Sequence, residues 1–101
     1  MSAATFNPSG TMSRQEAAVM VARAARLAGI DTVRNEQQLI NTLAMFGDGQ
    51  IVAAWARESV AFCYDAGILD DSGFYISPTE YVTRAEIAEM LHRMLGRANL
   101  L

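Results

Sequence analysis

The sequence predicts an all-α domain of about four helices joined by long ordered loops, and three observations support this. Apolar residues recur at three- and four-residue spacing along four segments, glycines or capping residues bracket those segments, and one capped helix start occurs twice as an internal repeat. Of 101 residues, 51% are hydrophobic and 19% charged, which is ordinary globular composition and far from the regime of disorder. A chain of this length has room for one compact core, so residues 1–101 read as a single domain.

The first helix is expected from about Ser13 to Ala28, with Ala17, Met20, Val21, Ala24, Leu27 and Ala28 on its apolar face and Gly29 as its stop. Asn35, with Gln38 three residues on, caps a second, shorter helix carrying Leu39, Ile40, Leu43 and Ala44. Gly47-Asp48-Gly49-Gln50 interrupts the pattern. A third helix is expected from about Val52 to Ala66, with Trp55, Ser59, Phe62 and Ala66 on one stripe, Ala56, Val60 and Cys63 beside it, and Gly67 ending it. Asp70-Asp71-Ser72-Gly73 is a turn signal, and Phe74-Tyr75-Ile76 is short and β-prone. The last helix starts at Thr83, carries Ile87, Met90, Leu91, Met94 and Leu95 inward and is expected to stop at Gly96.

Charge and cysteine content exclude several function classes. A net charge of -3 leaves no cationic footprint for nucleic acid. All the basic residues are arginine, whose planar fork suits bidentate contact with carboxylate or phosphate. The single cysteine, Cys63, excludes an intrachain disulfide framework and a multi-cysteine metal site. No stretch approaches the roughly 20 apolar residues of a membrane span. The first residues show no export signal either, so a role outside the cell implies a signal that was cut off or that lies in a longer parent protein, and a cytoplasmic location stays open.

Residues 6–28 overlay residues 76–98 at an offset of 70. Pro8 matches Pro78, Met12 matches Val82, Ser13 matches Thr83, Arg14 matches Arg84, Glu16 matches Glu86, Met20 matches Met90 and Arg23 matches Arg93. Much of this has a structural reason. Ser13 with Glu16 and Thr83 with Glu86 fit capping boxes, while Met12 with Ala17 and Val82 with Ile87 fit hydrophobic staples. Arg14 and Arg84 are different, because a cation at the first helical position opposes the helix dipole. Two roles stand open for them: a salt bridge to a structural carboxylate, or recognition of an anionic ligand beside free amides.

Thr83-Arg84-Ala85-Glu86 resembles the signature tetrapeptide of S-layer homology modules. Phe46-Gly47-Asp48, Trp55, Val60 and Ala66-Gly67-Ile68 resemble the opening of the same module, and Ser77-Pro78 its approach to the signature. On this resemblance residues 46–96 look like one complete module and 6–29 like the second half of a preceding one. The domain then divides into a half repeat (6–29), an inserted helix (30–45) and a complete repeat (46–97). The resemblance implies a noncatalytic anchor at the bacterial cell surface or S-layer that binds anionic secondary cell-wall polysaccharide, often bearing pyruvyl ketals, and needs no cofactor. It also implies a ligand groove built from Arg84, Asp48 and Trp55, with Arg14 as the equivalent in the first copy. An interaction or self-assembly module is the alternative, since one and a half repeats expose surface that a neighbouring repeat would cover and copies could form a homo-oligomer.

The remaining candidates read more plainly. His92 follows a core leucine and has only Glu89 as a metal partner at helical spacing, so it is expected at the surface or an interface. Cys63 on an apolar stripe is expected to be a buried small hydrophobe rather than a nucleophile. Asp70 to Gly73 lack the ligand alternation of a calcium loop. No paired acids, nucleophile with its base, or phosphate loop suggests an enzyme.

Overall fold

The computed structural model describes residues 12–69, 73 and 75–99. Ser13 opens the first helix as a capping residue should. Its Oγ accepts from the Glu16 amide (3.2 Å), and its own amide donates to Glu16 Oε1 (3.0 Å). The helix, α1, spans Arg14–Leu27. It ends in a Schellman turn, in which the Gly29 amide donates to the Arg26 carbonyl and the Ile30 amide to the Ala25 carbonyl, with Gly29 at φ 89°. Asn35 and Gln38 form a second capping box for α2, Glu36–Leu43. Helix α3, Arg57–Asp65, closes on Gly67 with the same pair of bonds as α1, and Ile68 again follows the glycine.

Thr83 and Glu86 form the third capping box, at the start of α4, Arg84–Arg97. The Glu86 carboxyl sits below its usual pKa because it accepts from the Thr83 amide and bonds the Thr83 hydroxyl, with a smaller contribution from Arg14. The support this carboxylate gives the helix start is present above its unfolded-state pKa and is lost as pH falls through the lowered value. Replacing Thr83 by alanine is expected to cost about 0.5–2 kcal/mol, and Ser13→Ala the same. Urea denaturation checks this, and unchanged midpoints in both variants would refute the capping account.

Helix α1 lies at the centre, packed against α3 on one side and α4 on another, while α2 covers α3. The α1 positions facing inward are small: Ala17, Ala18, Val21, Ala22 and Ala25 are all fully buried, which lets neighbouring backbones approach. Cys63 on α3 shows how close, with Sγ 3.7 Å from the Ala18 carbonyl oxygen. Arg93 and Arg97 of α4 donate to the carbonyls of Ile68 and Ala66, placing cations at the negative end of α3.

Among the described residues the fold is mostly α, with four α-helices, and one small element was not expected from the sequence. Met12–Ser13 (β1) and Tyr81–Val82 (β2) form an antiparallel ribbon, Met12 opposite Val82 and Ser13 opposite Tyr81. Tyr75 and Ile76, expected in a short strand, are in irregular structure, and Phe74 lies outside the described residues, as do Pro8 and the Asp70–Ser72 turn.

Three expectations are corrected. Helix α3 starts at Arg57 rather than Val52, because Val52 and Ala53 are extended and 49–56 forms two short 3-10 turns, Gly49–Ile51 and Ala54–Ala56. Leu27 does not face the core; it is 92% exposed, since it falls on the side of α1 opposite the buried stripe of Ala18, Val21, Ala22 and Ala25. Gly96 does not stop α4, which continues to Arg97 and ends on Asn99 at φ 59°, asparagine being the residue besides glycine that most readily adopts that conformation.

Candidate ligand-binding surface

The two repeated arginines occupy equivalent helix positions but have different surroundings. Arg14 is half-buried, and its Nη2 lies 3.7 Å from Glu86 Oε2 at the start of α4. The backbone amides of Arg14 and Gln15 are also occupied, donating to the carbonyls of Glu80 (2.8 Å) and Pro78 (3.0 Å). The first copy therefore serves the fold: it fastens α1 to the loop and helix of the second copy.

At Arg84 none of this recurs. Its side chain is exposed and has no ion pair or hydrogen bond among the described residues, and Glu86 is paired to Arg14 instead. The amides of Arg84 and Ala85 have no backbone partner among the described residues either. A guanidinium stands beside free amides at the positive end of α4, a combination that attracts carboxylate or phosphate oxygens.

Asp48 lies between α2 and the Gly49–Ile51 turn, at the opening of the complete repeat. Its Oδ1 accepts from the Ile76 amide (2.7 Å) and Oδ2 from the Ser77 amide (2.8 Å), which holds Ser77 at φ 54°. That brace fixes the approach to β2 and hence to Thr83 and Arg84. Gly49 next to it is required sterically: a Cβ there would stand 2.1 Å from the Leu43 carbonyl oxygen.

Trp55 sits in the second 3-10 turn, 47% exposed, rather than on a helix stripe. It borders a groove of about 380 Å³ with Ser13, Gln15, Glu16, Ala53, Thr79 and Tyr81. Tyr81 is 71% exposed, so two aromatic side chains flank this depression. Gln15 is buried beneath it, its Oε1 accepting from the Ala53 amide at 2.9 Å. Sequence reading missed Tyr81, Thr79 and Gln15 because the ribbon and the Gln15–Ala53 bond, which bring them to Trp55, join residues far apart in the chain.

A smaller cavity of about 190 Å³ lies between Arg14, Val82, Glu86 and Met90 of one wall and Ile68 and Leu69 of another. Arg14 Nε is buried there without a hydrogen-bond partner. Arg84 lines neither depression, and Asp48 lines neither.

The other candidates take no part. Cys63 is buried, and burial pushes its thiol up to about 12, so it stays protonated and unreactive at neutral pH. His92 is exposed on α4. Among the described residues no group of acidic, histidine and cysteine side chains is placed to hold a metal ion, and no helix is long and apolar enough to cross a membrane.

Against known families, the S-layer homology domain model matches residues 46–88, from the Phe46 turn through the signature at the start of α4. Comparison with curated proteins and with solved structures returns no match.

Proposed function

With residues 46–88 an S-layer homology domain, a type of noncatalytic module that attaches proteins to the cell surface by binding cell-wall polysaccharide, we propose that this chain binds an anionic secondary wall polysaccharide through the start of α4. The observation that carries the reading is the contrast between the two copies. Arg14 and its neighbouring amides are engaged within the fold, whereas Arg84 and the Arg84 and Ala85 amides have no such partner among the described residues. An acidic substituent on the glycan, such as a ketal carboxylate, would accept from the Arg84 fork and these amides together. Asp48 acts on this site by positioning the loop ahead of it, and Trp55 supplies a stacking face for a neighbouring sugar.

Arg84→Lys tests the assignment, since lysine keeps the charge and loses the fork. Retention on purified wall polysaccharide is expected to fall by about tenfold with an unchanged thermal midpoint, the size of one charge-assisted hydrogen bond. Arg14→Lys is expected to lower the midpoint instead. Wild-type retention by Arg84→Lys would refute the role.

A second reading, a self-assembly module, draws on exposed apolar side chains at Leu27, Val33, Ile40, Met45 and Ile51. Sedimentation over a concentration series separates the two: growth in mass favours assembly, and a constant monomer mass favours the glycan reading alone.

A further inference from the structure

The groove beside Trp55 has the wrong charge for the acidic group that Arg84 would take. Among the described residues that line it, Glu16 is the only carboxylate and no arginine borders it. Glu16 is already fixed: Oε1 accepts from the Ser13 amide, and no cation among the described residues pairs with it, leaving Oε2 an open acceptor. Gln15 is oriented by its bond from the Ala53 amide, so the carboxamide NH₂ is left as a donor in the same wall.

Neither the Trp55 indole nor the Tyr81 ring has a ring contact or side-chain hydrogen bond among the described residues. Two aromatic faces, one carboxylate acceptor and one amide donor make a site for a ring with one apolar C–H face that carries hydroxyls and a positive charge. The volume, about 380 Å³, falls within the range of small-ligand pockets, roughly 300–1,000 Å³.

The geometry points to a subsite for a hexosamine with a free, protonated amino group. Its pyranose face stacks on Trp55, its ammonium donates to Glu16 Oε2 under the attraction of the aromatic faces, and a hydroxyl accepts from Gln15. This rests on reading the Trp55 groove as a glycan surface, and it divides the work. The start of α4 takes the acidic substituent, and the groove takes a cationic or neutral sugar of the same polymer.

Trp55 is the only tryptophan in the chain, so its fluorescence reports the groove directly. The full chain is titrated with a fully deacetylated glucosamine tetramer, its N-acetylated counterpart and tetralysine at neutral pH. The proposal expects the deacetylated sugar to bind at least about tenfold more tightly than either of the others. Glu16→Gln is expected to abolish that preference. Glutamine at this position still closes the capping box, so the fold is retained, and its circular dichroism and melting curve verify this.

Equal or tighter binding of the acetylated sugar would overturn the ammonium assignment, as would a preference that survives Glu16→Gln. Tetralysine binding as tightly as the sugar would overturn the hexosamine. A silent Trp55 with every ligand would remove the subsite altogether. None of these outcomes touches the assignment of the acidic group to Arg84, which fails separately if Arg84→Lys retains wild-type binding to wall polysaccharide.

Discussion

Phe62→Ala is expected to lower the unfolding free energy by about 3–5 kcal/mol, the usual cost of truncating a buried aromatic. Phe62, on α3, is 1% exposed, with Arg34 of the segment leading into α2 over its ring. The Arg34 guanidinium lies 5.4 Å from its ring centroid and bonds Asp65 at 2.8 Å, while Thr42 donates to the other Asp65 oxygen at 2.9 Å. Truncation opens a void and also removes the surface on which that network rests. A domain of this size has about 5–15 kcal/mol in all, so the variant should be largely unfolded at modest urea. Chemical denaturation checks this, and a loss no larger than that of Thr83→Ala would mean that the α2–α3 interior is not packed as described.

Asp48→Ala is expected to cost about 2–4 kcal/mol, because it leaves two backbone amides, those of Ile76 and Ser77, without their charged acceptor. Ser77 would then hold its left-handed conformation without support. Since the brace sets the path into β2 and α4, binding to wall polysaccharide should fall with stability. Asp48→Asn, which keeps one acceptor oxygen, should lose less on both counts. Thermal melts and polysaccharide retention on the same samples test the coupling; a stable Asp48→Ala protein with lost binding would instead make the carboxylate a ligand contact.

Local chemistry was legible in the sequence. Three capping boxes and the stops at Gly29 and Gly67 each depend on residues within a few positions of one another, and each stands where residue type required it. What failed depends on distant partners. Val52 and Ala53 look helical by pattern, yet the Ala53 amide is claimed by Gln15, 38 residues away. Gly96 looks like a stop, but Arg97 beyond it is held by the Ala66 carbonyl, 31 residues away.

The candidate site divides along the same line. The repeat alone singled out Arg14 and Arg84 as a pair needing explanation. That one is engaged and the other open could not be read from such similar sequence contexts, since the difference lies in the carbonyls of Pro78 and Glu80 and in Glu86. Likewise Trp55 was a visible candidate, while its partner Tyr81 became one only through pairing with Ser13.

That ribbon also bears on how the molecule assembles itself in time. Met12 and Val82 are adjacent in space and seventy positions apart along the chain, and α1 has no covered face until α3 and α4 arrive. Closing so long a loop costs entropy before any contact rewards it. The repeat is thus a unit of sequence but not of cooperativity: the stretch 46–88 shares its interior with a helix outside its own limits, and the transition that forms one copy must form the other with it.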